Sequence, residues 1–393
     1  MTVLLIFLLA LFGYSLFSRR IANSYLTAPM LFAGVGLIYA LFLGEPVSAD
    51  HQISPFLRVA EIALVLLLFS DASRVDLGLL RKERSLPARL LGPGMLLTIG
   101  LGTLIAHLVF PQLDWWEAAL LGTILAPTDA SLGQVIVNSE RVPKMIREAL
   151  DVEAGLNDGL SVPFLLFFIA VVSVEDGGGS SSLFILMGEQ IGYGIAIGAG
   201  IGWLGGLVLN WAERRKNMDT VHRPLAVVVL PVMAYLASHH FEGSPFIAAY
   251  IAGLVTQITF PSIQKGSILF ADEWGESLSF GVFFLFGIFA GSPGSGIGWM
   301  PFVYGILSLT LVRMLPVMLS LSGTGLNWKE KSFIGWFGPR GLASIVLGLV
   351  YLEAQTHLPG ESTITAAVIC TVLLSIFLHG LSAKPGIKRI TSS

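Results

Sequence analysis

The chain has 393 residues, of which 54% are hydrophobic and 12% charged, and its formal net charge is −3. Soluble proteins carry about 25% charged residues, so this composition excludes an ordinary soluble enzyme. The near-neutral charge excludes a basic nucleic-acid-binding face, and the single cysteine excludes an intrachain disulfide. We therefore expect an all-α polytopic membrane protein with no soluble domain.

Apolar stretches of about 20 residues recur along the whole chain, and each is long enough to cross a bilayer core of roughly 30 Å as a helix. Turn and charge breaks predict thirteen transmembrane helices, called spans 1 to 13. They lie near residues 2–18, 22–43, 53–71, 86–110, 115–138, 146–174, 184–212, 224–240, 245–260, 275–291, 298–321, 331–353 and 362–382. The first apolar run precedes Arg19 and Arg20 instead of following a basic region, so we expect a retained span and not a secretory signal.

The positions of Lys and Arg test this count, because positive charge in short loops marks the cytoplasmic side. Twenty of the 23 basic residues lie in alternate connections: Arg19, Arg20, Arg74, Arg81, Lys82, Arg84, Arg89, Arg141, Lys144, Arg147, Arg214, Arg215, Lys216, Arg223, Lys265, Lys329, Lys331, Lys384, Lys388 and Arg389. The other connections carry acids: Glu45, Asp50, Asp114, Glu117, Glu175, Asp176, Glu242, Glu353 and Glu361. This alternation predicts an outer amino terminus and a cytoplasmic carboxyl terminus.

An odd number of spans suggests two six-span units of opposite orientation joined by an extra helix. We expect a first inverted repeat over residues 1–174, with spans 1 to 6, and a linking span 7 over 175–223. The second repeat then covers residues 224–393, with spans 8 to 13. In this arrangement span 5 corresponds to span 12.

Spans 5 and 12 each have a proline beside a charge at mid-span. They read Ala126-Pro127-Thr128-Asp129-Ala130 and Gly338-Pro339-Arg340-Gly341. A proline alone could merely kink each helix. Because both copies also have an ionisable neighbour, we expect two crossed, discontinuous helices at a transport site.

Three charged residues fall near the centre of the membrane. Asp129 lies roughly 21 Å from the outer end of span 5, and Asp158 and Arg340 lie roughly 18 and 14 Å from the inner ends of spans 6 and 12. An ionised group at this depth costs on the order of 3 kcal/mol, so each residue is a functional candidate.

Span 6 carries two acids that point in different directions. Glu153 and Asn157 are four residues apart and share a helix face, so we expect Asn157 to be able to orient Glu153. Asp158 points about 140° away from Glu153. We therefore expect Glu153 to pair with an arginine and Asp158 to be free to load an ion.

Oxygen donors gather at the interruption of span 5. Thr128 offers a hydroxyl and free backbone carbonyls, and Asp129 and Asp158 offer carboxylates, a set that suits a small alkali cation such as Na+. Burial favours the protonated form of a carboxylic acid, whereas a bound cation favours the ionised form. A proton and Na+ would therefore compete for one site, which gives antiport if the site faces one side at a time. Arg313 and Arg340 would offset buried negative charge, and Arg340 could face the carbonyl ends of half-helices.

This ordered set of motifs resembles the monovalent cation:proton antiporter-1 family, the sodium/proton exchangers, nearly from end to end. The resemblance rests on Thr27-Ala-Pro-Met30, Glu61-Ile-Ala-Leu64, Phe69-Ser-Asp71-Ala, Pro127-Thr-Asp129, Glu153 with Asn157-Asp158, Leu311-Val-Arg313 and Gly338-Pro-Arg340-Gly. It implies a homodimer of thirteen-span subunits, in which a core domain moves against a dimerisation domain.

The resemblance also implies residue roles. Asp158 would be the essential acid that binds ion and proton, Thr128 and Asp129 would assist it, and Glu153 would pair with Arg313. An Asn-Asp pair, here Asn157 with Asp158, goes with electroneutral one-for-one exchange in the family. The chain departs from several relatives in having Ala154 where they have a cation-ligating serine, which leaves Na+ against K+ open, and it ends soon after span 13 without a long regulatory tail.

Other function classes fit less well. An intramembrane aspartyl protease also uses two buried aspartates, but its Tyr-Asp and Gly-x-Gly-Asp motifs are absent. A sodium-coupled solute symporter shares the inverted repeat but needs a second pocket for an organic substrate. We therefore predict a transporter and not an enzyme, surrounded by lipid in the cell (inner) membrane. It would exchange Na+, Li+ or K+ for H+, with these ions as cargo and no resident cofactor.

Weaker candidates have ordinary explanations beside functional ones. Glu61 lies three residues after Arg58, close enough for a local helical pair, and could instead take part in proton access. The histidines could sense pH, although an interfacial location at span ends or loops is the favoured interpretation for all of them: His51, His107, His222, His239, His240, His357 and His379.

Overall fold

The computed structural model describes residues 2–42, 53–75, 85–173, 180–219, 221–261, 265–293, 295–354 and 358–391. Within these ranges the fold is all helical, without strands. Seven helices in the described part are long and apolar enough to cross a membrane, and three shorter ones are also apolar. Several residues of the predicted loops lie outside the described residues: Glu45, Asp50, His51, Arg81, Lys82, Arg84, Glu175, Asp176 and His357.

The helices of the amino-terminal half follow the predicted spans closely. They are α1 (Thr2–Asn23), α2 (Ala28–Phe42), α3 (Ile53–Arg74), α4 (Ser85–Arg89), α5 (Met95–Val109), α6 (Trp115–Ile124), α7 (Ala130–Val137), α8 (Lys144–Ser173) and α9 (Ser180–Arg214). A π-helical turn, Leu90–Gly94, joins α4 to α5 and contains Pro93.

The carboxyl-terminal half continues in the same way. Its helices are α10 (Arg223–His240), α11 (Pro245–Thr259), α12 (Lys265–Gly291), α13 (Trp299–Leu307), α14 (Arg313–Ser320), α15 (Trp328–Trp336), α16 (Leu342–Glu353) and α17 (Glu361–Thr391). A second π-helical turn, Ser308–Val312, joins α13 to α14.

The largest differences between the predicted and observed boundaries are at spans 10 and 13. Smaller ones are at the end of span 1, which continues to Asn23, and at the start of span 2, which lies at Ala28. Span 10 was expected to begin at 275, but α12 begins at Lys265, and span 13 was expected to end at 382, but α17 continues to Thr391. Hydropathy excludes the charged turns at the ends of long helices, although backbone hydrogen bonds satisfy those turns as well as the apolar ones. Asp272 and Glu276 therefore lie well inside one helix.

Both predicted interruptions are present. The first break, residues 125–129, separates α6 from α7, and the second break, residues 337–341, separates α15 from α16. Pro127 and Pro339 lack a backbone N–H, so each removes a helical hydrogen bond at its break. The half-helix before each break begins with the same reciprocal cap, formed by Asp114 and Glu117 in α6 and by Asn327 and Glu330 in α15. Such a capping box satisfies backbone donors at a helix start.

Glycines allow α8 and α9 to pack closely against α11. In α9, a Cβ on Gly202 would lie 2.6 Å from the carbonyl oxygen of Ala252 in α11, so the two backbones can approach only because the side chain is absent. In α8, a Cβ on Gly155 would lie 2.8 Å from the ring of Tyr250, also in α11. Small residues permit this kind of contact between membrane helices.

Candidate functional site

The two breaks lie against each other. The N–H of Asp129 in the first break donates to the carbonyl oxygen of Pro339 in the second break at 2.8 Å. Arg340 is fully buried, and its Nη1 donates to the carbonyl oxygen of Ala126 and to that of Pro127 at 2.9 Å. The carbonyl end of a helix carries partial negative charge. The arginine of the second break therefore neutralises the open end of α6.

The aspartate of the first break makes the complementary contact. The N–H of Leu342, the first residue of α16, donates to Oδ2 of Asp129 at 2.5 Å. The amino end of a helix carries partial positive charge and unsatisfied N–H groups, so a carboxylate is stabilised there. Each break thus supplies the charge that the helix end of the other break requires.

Two glycines make room for these charged groups. A Cβ on Gly341 would overlap with Oδ2 of Asp129, and a Cβ on Gly338 would overlap with the guanidinium of Arg313. Sequence reasoning quoted both glycines as part of a motif but gave them no role. The signal was their position on either side of Pro339-Arg340, where another chain segment must approach the backbone closely.

Glu153 and Arg313 form a buried ion pair. Nη1 and Nη2 of Arg313 donate to Oε1 and Oε2 of Glu153 at 2.5 and 2.9 Å, and both side chains are at most 4% exposed. Two parallel N–H···O bonds fix the planes of both groups. Arg313 follows the π-helical turn Ser308–Val312 directly, and such turns occur often at functional positions.

Asn157 contacts the first break and not Glu153. Its Nδ2 donates to Oγ1 of Thr128 at 2.8 Å, while its buried Oδ1 has no hydrogen-bond partner among the described residues. The expectation that Asn157 orients Glu153 was wrong, because Arg313 satisfies both oxygens of that acid. Asn157 instead ties α8 to Thr128.

Asp158 is a buried acid with one carboxylate oxygen left without a partner among the described residues. It is 5% exposed, and its Oδ1 is buried without a hydrogen-bond partner in the described part of the chain. Asp158 and Asp129 both line a cavity of about 310 Å³. A buried carboxylate oxygen without a donor is costly unless a ligand or a proton satisfies it.

The cavity continues away from Asp158 towards one end of the bundle. Its charged lining consists of six acids and one arginine among the described residues: Asp71, Arg74, Asp129, Asp151, Asp158, Asp272 and Glu276. Asp71 and Asp151 are partly exposed, unlike the two buried acids. They lie near the end of α3 and the start of α8, both on the predicted cytoplasmic side. The cavity therefore extends from the buried acids towards the end of the bundle where Asp71 and Asp151 lie.

Sequence reasoning missed most of this acidic lining. Asp71 was quoted only within a motif, and Asp272 lay outside the predicted span 10. Asp272 and Glu276 are four residues apart on α12 and share a face, which is the signal that could have paired them. Arg74 contacts Asp272, with 2.8 Å between Nη2 and Oδ2. Several carboxylates around one arginine favour the entry of cations.

Glu61 lies elsewhere, and its expected local pair is present. Nη1 of Arg58 is 3.3 Å from Oε2 of Glu61, and the hydroxyl of Tyr235 donates to the same oxygen at 2.7 Å. Glu61 is not among the residues that line the acidic cavity.

His379 does not lie at an interfacial span end, as the sequence suggested. It is 2% exposed, and its Nε2 lies 2.9 Å from the carbonyl oxygen of Trp336, the last residue of α15. The error has the same origin as the early end given to span 13, since α17 runs past Pro385 to Thr391.

Comparison with known proteins decides the family. The model of the family described as "Sodium/hydrogen exchanger, transmembrane" matches residues 1–389. The chain belongs to this exchanger family. As a member with the long apolar helices described above, it is a multi-pass membrane protein.

Relatives of this exchanger-family chain include antiporters for two cations. A protein named Na(+)/H(+) antiporter from Schizosaccharomyces pombe is 26% identical, and the match covers 88% of this chain and 81% of that protein. The K(+)/H(+) antiporter NhaP of Alkalimonas amylolytica is 28% identical, and the match covers 92% of this chain but only 62% of that protein. This chain thus spans about three fifths of the length of the potassium/proton relative.

A solved structure is similar over the whole chain. The structure of the sodium proton antiporter MjNhaP1 from Methanocaldococcus jannaschii at pH 8 has a TM-score of 0.80 at 20% identity. The likeness covers 100% of this exchanger-family chain and 99% of the other. The two proteins therefore share a fold.

Proposed function

We propose that this chain exchanges a monovalent cation, Na+, Li+ or K+, for H+ across the cell membrane, with Asp158 as the acid that carries either cargo. The observation that carries the proposal is the buried Oδ1 of Asp158, which has no hydrogen-bond partner among the described residues and whose side chain lines an acidic cavity. The names of the relatives, which describe Na+/H+ and K+/H+ antiporters, support the same exchange. The sodium-coupled symporter alternative receives no support from those names.

The hydrogen bonds of the site support a division of labour between its acids. One oxygen of Asp129 is held by the first N–H of α16, so this carboxylate acts as a fixed charge beside the site. Asp158 has an oxygen available for a cation or a proton. Thr128 and Asn157, which are joined by a hydrogen bond, add neutral oxygen ligands. Na+ would then be held by Asp158, Asp129 and Thr128, which supply the oxygen ligands that hard cations prefer.

The charge of the site supports one-for-one exchange. Asn157 is neutral, Asp129 is engaged by a helix end, and Glu153 is neutralised by Arg313. Asp158 is then the group that binds one proton and one monovalent cation in turn during the cycle. Exchange by this route is electroneutral and needs no resident cofactor.

The geometry of the cavity supports an inward-open state of an alternating-access cycle. Its lining includes the partly exposed Asp71 and Asp272, which lie towards the helix ends on the predicted cytoplasmic side. At the opposite end of the bundle, Oγ of Ser54 at the start of α3 donates to Oε1 of Glu353 at the end of α16, at 2.8 Å. In the proposed cycle this contact opens when a core domain moves against a dimerisation domain within a homodimer.

The proposed topology has thirteen spans, with the amino end outside and the carboxyl end in the cytoplasm. Residues 1–174 and 224–393 would form the two inverted repeats, joined by span 7 within 175–223. The two five-residue breaks and the capping boxes that precede them support this repeat.

A vesicle assay tests the proposed function. The full chain is reconstituted or expressed in everted vesicles that hold an acidic interior, and the pH gradient is followed with a fluorescent dye. Addition of NaCl, LiCl or KCl should dissipate the gradient, while choline chloride should not. Vesicles that respond to none of the three alkali cations around neutral pH would remove the antiport claim.

A further inference from the structure

Two side chains of α17, Ser375 and His379, bridge the second break by hydrogen bonds. Nε2 of His379 lies 2.9 Å from the carbonyl oxygen of Trp336, and Nδ1 of His379 lies 3.0 Å from Oγ of Ser375. The N–H of Arg340 donates to that same Oγ at 2.6 Å. Trp336 ends α15 and Arg340 lies just before α16. The three contacts therefore connect the two half-helices across the break.

One tautomer of His379 satisfies all three contacts. With the proton on Nε2, the ring donates to the carbonyl of Trp336 and accepts at Nδ1 from the hydroxyl of Ser375, which itself accepts from the N–H of Arg340. With the proton on Nδ1, the ring would instead donate to the carbonyl oxygen of Ser375, also at 3.0 Å, and Nε2 would face the Trp336 carbonyl without a proton. The hydrogen-bond network assigns the first form, in which every buried group is paired.

The bridge determines where the charged groups of the second break lie. Arg340 contacts the carbonyls of Ala126 and Pro127, the two residues before Thr128 and Asp129. Leu342, two residues after Arg340, holds the Asp129 carboxylate. A shift of the backbone at Arg340 would move both contacts, and with them the oxygen ligands of the first break.

We infer that Ser375 and His379 are positioning residues of the exchange site. They hold the two half-helices of the second break at a fixed separation, so that Arg340 and the start of α16 meet the first break in the geometry that binds the cation. This inference rests on the proposed function, because both residues act through that site and do not touch its cargo.

The same helix offers a matched control. Thr371 lies one turn before Ser375 on α17 and is also fully buried. Its hydroxyl donates to the carbonyl oxygen of Ala367, within its own helix, at 2.7 Å. Thr371→Val therefore removes a buried hydroxyl from this helix face without breaking a contact to the second break.

Transport kinetics can distinguish a positioning role of Ser375 and His379 from a general loss of folding. We expect Ser375→Ala and His379→Ala to raise the half-saturating Na+ concentration by about fivefold, the effect of losing one net hydrogen bond, while Thr371→Val stays within twofold. His379→Gln, whose amide nitrogen can still donate to the Trp336 carbonyl, should recover part of the affinity. Equal half-saturation in Ser375→Ala and the wild type would overturn the inference, as would an equal loss in Thr371→Val.

Hydrogen–deuterium exchange tests the bridge without relying on transport. In the purified full chain, Ser375→Ala should increase exchange at peptides that cover residues 334–343, while Thr371→Val should not. If the wild type transports no cation but this increase is present, the proposed function fails and the bridge stands. If the wild type transports and Ser375→Ala matches it in both measurements, the bridge fails and the proposed function stands.

Discussion

The two breaks are equal in length and opposite in charge. Each interrupts a helix for five residues around a proline, but the first break carries Asp129 and the second carries Arg340. The acid lies at the amino end of α16, and the base lies at the carbonyl end of α6. Each charge is therefore stabilised by a helix end that belongs to the other break. Crossed helices need such an exchange, because these two helix ends would otherwise be left unsatisfied inside a membrane.

The charged groups of the crossing differ from Asp158 in having fixed partners. Asp129 and Arg340 have partners at the helix ends, and Glu153 and Arg313 are partners of each other. Asp158 has an oxygen without one in the described chain. The crossing is thus a neutral frame, and the proposed cargo acid lies beside it.

The largest expected effect comes from exchanging the two aspartates for asparagine. Asp158→Asn should abolish cation-driven proton movement, because an amide can neither release a proton nor balance a cation. Asp129→Asn keeps an oxygen that accepts from Leu342, so we expect a reduced but measurable rate in the vesicle assay. Asp158→Asn should keep the wild-type melting temperature, whereas Asp129→Asn should lower it slightly, because the start of α16 loses its negative charge. Retained exchange in Asp158→Asn would show that another acid carries the cargo.

Removal of Arg313 should have the largest effect on stability. Arg313→Ala leaves Glu153 buried and unpaired, which costs about 3–5 kcal/mol of unfolding free energy. Thermal unfolding in detergent measures the change. Arg58→Ala is the control, because its side chain is 52% exposed and its pair is worth at most about 1 kcal/mol. Similar melting temperatures for the two variants would contradict a structural role for the buried pair.

Substitution of the glycines of the second break should cause the next largest loss of stability. Gly338→Ala and Gly341→Ala place a methyl group against Arg313 and Asp129, and overpacking of this kind costs about 1–3 kcal/mol. Gly348→Ala in α16 is the matched control, since its Cβ would make an ordinary 3.5 Å contact with Val368. The control should be neutral or slightly stabilising. If all three variants melt alike, the close approach of the charges to the second break is wrong.

The smallest effect is expected in the acidic cavity. Asp272→Asn removes one charge from the lining, so the half-saturating Na+ concentration should rise about twofold at low ionic strength and return to the wild-type value at high salt. Glu273→Gln changes an exposed neighbour that does not line the cavity and serves as the control. A salt-independent change in Asp272→Asn would point to a structural role instead.

The breaks could be predicted from sequence because their causes are local. Pro127 and Pro339 each remove a helical hydrogen bond, and the charge beside each one is too costly to face lipid. Pro163 and Pro231, by contrast, have no charged neighbour in sequence and lie inside continuous helices. The contact of Arg340 with the carbonyl end of a half-helix follows from the same reasoning. The all-helical class is confirmed by the fold, while the count of thirteen spans and the repeat boundaries stay predictions.

The errors arose where a contact depends on a distant segment. The face shared by Glu153 and Asn157 is a property of one helix, but the partner of Glu153 lies 160 residues away in Arg313. His379 looked interfacial because hydropathy falls near Pro385, whereas its environment is set by Trp336 on another helix. The roles of Gly338 and Gly341 likewise depend on which side chains approach them.

The acidic cavity has a consequence for how the protein would respond to its surroundings. Six acidic side chains line a cavity of about 310 Å³, so cations from the compartment that the cavity faces would concentrate there. Divalent cations would accumulate there more strongly than monovalent ones, because attraction scales with charge. Magnesium on the cavity side should therefore inhibit exchange competitively without being transported.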